Sequence, residues 1–212
     1  MAEKRAHLGL RLVVGLLVGL AVLAISAHSS WRGYSSSIVR YPQYGTSRDI
    51  AEIQKAIDAY QREKNSLPDT LTGLAPVGEG DWRMNETGAA VDGWWRPFHY
   101  WTDGTRYRII SYGRDGKPGG VGLDRDISSD NLRPKDTAPT FKQFFTDPRA
   151  RRMLVVCAMS GLIGFILGFR SVTFSISMRR GFLTTLIRLF ITIAATSILA
   201  IMISAAHVPS GH

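Results

Sequence analysis

The chain has 212 residues and carries 26 Lys/Arg against 17 Asp/Glu, a formal charge of +9. Between His28 and Pro148 sixteen basic residues balance sixteen acidic ones, so the excess charge flanks apolar runs. A neutral middle excludes nucleic acid as a partner, which would need a basic patch on the folded domain, and basic flanks fit membrane borders, where Lys and Arg gather.

Residues 1–27 are read as a short cytoplasmic start and a first span. Leu8 to Ala27 is apolar apart from Arg11, and about 20 such residues cross a bilayer as a helix. The same stretch also has the layout of a cleavable signal peptide, with small residues at Ala24, Ser26 and Ala27. Gly15 and Gly19 form a GxxxG pair, as do Gly164 and Gly168; such pairs let helices approach closely and point to a homo-oligomer. Residues 28–45 hold Gly33, Ser35 to Ser37, Pro42 and Gly45, which oppose a continuous helix and predict a tether.

Thr46 is placed to cap a helix, with Asp49 at its positive end. Ile50, Ile53, Ile57 and Tyr60 recur at helical spacing and predict one core-facing stripe. Asn65 suits a left-handed stop and Pro68 prevents continuation. In the mixed loop 69–91, Leu71, Leu74, Val77 and Trp82 are packing candidates. Asn85-Glu86-Thr87 is a glycosylation sequon expected to be unused. Residues 92–112 read as a hairpin, with strand-forming Phe98, Tyr100 and Ile109 and a tight Asp103-Gly104 turn. Trp94, Trp95, Trp101, Tyr107 and Tyr112 make it strongly aromatic, and a small domain needs such area for its core.

The next stretch, SYGRDGKPGGVGLDRDI, is dense in glycine and aspartate. Calcium takes six to eight oxygens in irregular geometry. Asp115 could meet Asp124 and Asp126 if the chain folds back at Pro118-Gly119-Gly120; a flexible polar loop with turn-forming residues accounts for the same composition. Residues 137–152 are a juxtamembrane segment with Phe141, Phe144 and Phe145 at a membrane interface. Two more spans follow at 153–169 and 182–206, separated by a basic loop at 170–181 and ending in a tail at 207–212. Cys157, the single cysteine, is read as a small apolar residue at lipid depth, and no disulfide can form within the chain. Lys4, Arg5 and Arg11 place the N-terminus in the cytoplasm, which puts the central domain outside.

The chain lacks GxxxxGK[ST], HExxH, GxSxG and paired cysteines, and nothing near His99 marks a nucleophile. The expectation is a non-enzymatic protein.

Residues 47–74, DGWWRPFHY at 92–100 and the SYGRDGKPGG loop with Asp124 and Asp126 together resemble, in order, the C-terminal domain of the type II secretion major pseudopilin, protein G. Gly93 stands where that family has Pro, and Trp95 where it has Gly. The resemblance implies an α+β, pilin-like fold over 46–136: one helix packed on a small antiparallel sheet with a calcium loop, here flanked by three transmembrane helices. It implies calcium on Asp115, Asp124 and Asp126, with the Tyr112 backbone carbonyl as a further ligand. The first span carries no acidic residue where the family has a Glu, and three spans do not suit extraction into a filament. The expected protein is therefore a multi-pass component of a bacterial inner membrane, with a periplasmic domain that works by protein interaction or assembly beside a secretion or pilus apparatus. A membrane-anchored sensor or ligand-binding module is the alternative.

Overall fold

The structure, a computed structural model, describes residues 2–36, 38–74, 81–171 and 178–208. Val77, much of the basic loop after Ser171 and the last four residues of the tail lie outside the described residues. The chain forms two compact units: Ile38–Gln143, and a second one made of Met1–Ser37 with Phe144–His212.

In the first unit, α2 runs Tyr41–Lys64 after a 3-10 turn at Ile38–Arg40. Pro42 sits in its first turn, where a missing N–H costs nothing and the fixed φ suits a helix. The helix thus begins five residues before the expected cap, and Thr46 is internal. Its hydroxyl donates back to the Pro42 carbonyl at 2.8 Å and accepts from the Gly93 amide at 2.8 Å. Asn65 ends α2 in the left-handed region (φ 55°, ψ 27°), its amide donating to Gln61. Three of the four stripe residues are core: Ile50, Ile53 and Ile57 are fully buried in a cluster with Leu67, Trp82, Phe98, Ile109 and Ile127, while Tyr60 is half-buried outside it. Burying each isoleucine contributes roughly 1.5–3 kcal/mol. Asp49, expected at the positive end of the helix, lies within it and is also fully buried, held by Arg83 at 2.7 Å and Arg48 at 3.0 Å. Gly45 makes room for that pairing, since a Cβ there would stand 3.0 Å from Arg83 Cζ.

The sheet is antiparallel in the order β1-β2-β3, formed by His99–Thr102, Tyr107–Ser111 and Ile127–Ser128. Tyr100 faces Ile109, and Ser111 faces Ile127. The hairpin is as expected but its turn is not two residues long: Thr102 pairs with Tyr107, leaving four. Asp103 organises them by accepting from the amides of Thr105 and Arg106 and from the Thr105 hydroxyl. These bonds, the hydroxyl's first, hold its carboxyl down at about 2. The aromatic residues divide. Phe98 is buried and Tyr100 and Tyr107 pack on the core, but Trp95 and Trp101 are 67% and 58% exposed. The sequon asparagine is a turn former, its Oδ1 accepting from Thr87 and Ala89.

In the second unit α1 (Ala2–Ser35), α4 (Arg151–Ser171) and α5 (Met178–Ala205) pack on one another, with a short α3 at Phe141–Thr146 leading in. Leu8–Ser35, Pro148–Ser171 and Leu183–Ala205 are each long and apolar enough to cross a membrane. Because α1 continues to Ser35 and α2 begins at Tyr41, the predicted tether shrinks to a break near residues 36–40. Gly33 and Ser35 are tolerated inside a helix whose stability comes from packing.

Both GxxxG pairs are used inside the chain. A Cβ on Gly19 would stand 2.9 Å from the Gly161 carbonyl oxygen, and one on Gly168 would stand 2.9 Å from Val18 Cβ. The small faces of α1 and α4 therefore meet each other, which removes the basis for reading them as a homo-oligomer contact. Cys157 is buried in the same seam, its Sγ 3.3 Å from Ser30 Oγ. Phe141 and Phe145 are exposed, but Phe144 turns inward and packs on Tyr34 at 5.3 Å between ring centroids.

Candidate metal loop

β2 delivers the chain into the loop at Tyr112, and β3 receives it at Ile127. Between them Gly113, Gly116, Gly119, Gly120 and Gly122 all adopt positive φ, a conformation that costs a side chain-bearing residue roughly 1–2 kcal/mol. Of the two readings that the sequence leaves open, the chain takes the fold-back. Arg114 N donates to the Leu123 carbonyl at 2.9 Å, and a Cβ on Gly113 would stand 2.7 Å from the Asp124 carbonyl carbon.

Three side chains absent from the sequence reading hold this shape. Arg96 lies against the first limb and donates through Nη1 to the carbonyls of Gly113 and Arg114. Gln143 reaches in from α3: its Nε2 donates to Val121 O at 3.0 Å and Asp124 Oδ2 at 2.6 Å, and its Oε1 accepts from Leu123 N. Gln43, on α2, donates to Gly122 O at 2.8 Å. Arg96 stands in the WWRPF segment, so the cation was visible as a residue but not as a loop clamp. Gln143 lies too far along the chain to leave a local signal.

The proposed ligands are placed as follows. Asp124 Oδ1 pairs with Arg114 Nε at 3.0 Å, and its Oδ2 is taken by Gln143. Asp126 Oδ2 accepts from Gly119 N at 2.8 Å, while its Oδ1 is buried without a hydrogen-bond partner among the described residues. Asp115 Oδ1 accepts from Lys117 N at 3.1 Å. The Tyr112 ring packs on His99 at 4.5 Å, which gives that histidine a strand-packing role. Among the described residues no three His, Cys, Asp or Glu side chains converge as a metal site. The donor set is all oxygen and hard, as calcium requires, and the unpaired Asp126 Oδ1 is an acceptor with no protein donor. Asp124 would have to exchange Arg114 and Gln143 for a cation.

Asp92 fixes the turn that precedes β1. Its Oδ1 accepts from the amides of Trp94 and Arg96, and its Oδ2 accepts from Ser111 Oγ at 2.6 Å. Trp95 completes this turn with φ 65°, at the position where the resembled family carries glycine.

No curated protein gives a significant match to the chain. Residues 42–130, which hold α2, the hairpin and the glycine loop, match the family model of the type II secretion system (T2SS) protein G.

Proposed function

We propose that the chain is a non-enzymatic, membrane-anchored, pseudopilin-like protein whose domain works by protein interaction or assembly beside a type II secretion or type IV pilus-like apparatus. The observation that carries this reading is the protein G match over 42–130 in a chain that also holds three helices apolar enough to span a membrane. In this reading the N-terminus is cytoplasmic, residues 38–143 are periplasmic, and the three helices retain the protein in the inner membrane. Site-directed photocrosslinking in native membranes tests it. Crosslinks from the 38–143 unit to envelope proteins of such an apparatus are expected. Recovery of the chain in sheared filament fractions would instead make it a filament subunit.

Calcium is part of the same proposal, with Asp115, Asp124, Asp126 and the Tyr112 carbonyl as its ligands. The ion would supply the positive charge that lets these carboxylates lie close together in a domain with no disulfide. Since a ligand that binds only the folded state stabilises it, calcium should raise the melting temperature of the full chain in detergent, and Asp124→Ala should abolish the rise. An unchanged melting temperature at saturating calcium in the unsubstituted chain would remove the metal from the proposal.

A further inference from the structure

The 38–143 unit holds a concavity that adjoins the glycine loop through Gln43 and Ile127, with a volume of about 580 Å³. Arg40, Arg48 and Arg133 line it, and no Asp or Glu does. Arg48 is committed to the buried Asp49. Arg40 is not paired with any carboxylate among the described residues. It donates to Thr137 Oγ1 at 2.8 Å and lies 5.2 Å over the Tyr44 ring. Arg133 is exposed and likewise has no carboxylate partner among the described residues. The start of α2 is also there, with no acidic residue in its first turn and no side-chain cap, so the positive end of the helix adds to the field.

The floor of the groove is apolar, built from Ile127 and Leu132, and Tyr44 at its rim is 57% exposed. Exposed tyrosine beside arginine is the composition that protein interfaces favour. Two unpaired polar atoms belong to the lining residues: Arg40 Nε, a donor, and Gln43 Oε1, an acceptor on a side chain that is 3% exposed. A phosphodiester or sulfate offers acceptors alone. A peptide offers carboxylates for the arginines and, in addition, side chains for the apolar floor and the Tyr44 ring.

We infer that this groove docks an acidic segment of a partner protein through Arg40, Arg133 and Tyr44. The inference rests on the protein-interaction reading above and specifies its surface and the chemistry of the partner. Charge complementarity steers such a segment in and sets its register.

The test uses the full chain in detergent micelles and a fluorescently labelled hexaglutamate peptide at low salt, read by anisotropy. Saturable binding is expected, weakened at least tenfold by Arg133→Glu and by Arg40→Gln. Arg133 is exposed and unpaired, so its variant should melt with the parent and report binding alone. Arg108→Gln, which removes the same single charge as Arg40→Gln but from the sheet, where Arg108 pairs with Asp130, should leave binding within twofold. Absence of saturation, or equal weakening by Arg108→Gln, would overturn the inference. So would displacement of the peptide by inorganic phosphate, or arginine-dependent binding of phosphatidylglycerol vesicles in place of the peptide; either would make this a phosphate site. Loss of peptide binding with crosslinks retained would remove the groove and leave the interaction reading standing.

Discussion

Gly93→Ala probes the contact between the turn before β1 and the first turn of α2. A Cβ at residue 93 would stand 2.5 Å from both the Cα and the carbonyl carbon of Pro42, and closer still to its oxygen. Carbon atoms pack at about 3.5–4.0 Å, so the two segments must separate by about 1 Å. Both sides of the clash are backbone, with no side chain to swing away, which places the cost near the top of the ~1–3 kcal/mol range for overpacking. At about 4–8 °C per kcal/mol for a unit of this size, the melting temperature should fall by about 12–24 °C. The assay is thermal unfolding of the full chain in detergent by tryptophan fluorescence, because Trp82 lies in the core of this unit. Gly93→Pro, which installs the residue of the resembled family, also deletes the amide that donates to Thr46; it should melt lower by a further ~1 kcal/mol. An alanine variant melting within about 2 °C of the parent, less than the shift from 1 kcal/mol, would refute the close approach and with it the early start of α2.

Asn65→Ala should cost about 1 kcal/mol in denaturant unfolding because it forces a side chain without local hydrogen bonding into the left-handed region, whereas Asn65→Gly should be near neutral; equal midpoints for the two would contradict the cap. Ser30→Cys places a thiol opposite Cys157, and mild oxidation should give an intrachain disulfide that migrates as monomer on a non-reducing gel. A disulfide-linked dimer would mean that the glycine faces serve between copies. The Asp103 carboxyl should titrate by NMR near 2. Its folded value lies below the ordinary 3.8, so its support for the turn is complete above about pH 4 and is lost as pH falls toward 2; a midpoint near 4 would refute the turn geometry.

The apolar spacing of Ile50, Ile53 and Ile57 was enough to find α2 and its buried face, because a helix stripe is a local, periodic signal. The Asn65 stop was equally local. The start of α2 was misplaced because Pro42 and Gly45 read as breakers in isolation. In the fold one is an acceptable first-turn residue and the other is the space that Arg83 requires to reach Asp49. Thr46 was recognised as a hydrogen-bonding residue but assigned the wrong partner, since Gly93 lies 47 residues away. The back-fold of the glycine loop was legible from its proline and glycines only as one of two readings, a flexible polar loop being the other. Its clamps were not, because Arg96, Gln43 and Gln143 act over distances that leave no pattern in neighbouring residues. The glycine pairs of α1 and α4 were seen, but whether two such faces meet within one chain or between two is a question of topology.

Gln143 has a consequence for where this domain ends. The family match stops at residue 130, yet the side chain that clasps Val121, Leu123 and Asp124 arrives only at residue 143. During synthesis, which proceeds from the N-terminus, the helix and the hairpin are complete before that clasp exists. The glycine loop therefore cannot take its final form until residue 143 has been made, and a fragment cut at the family boundary would lack this clasp.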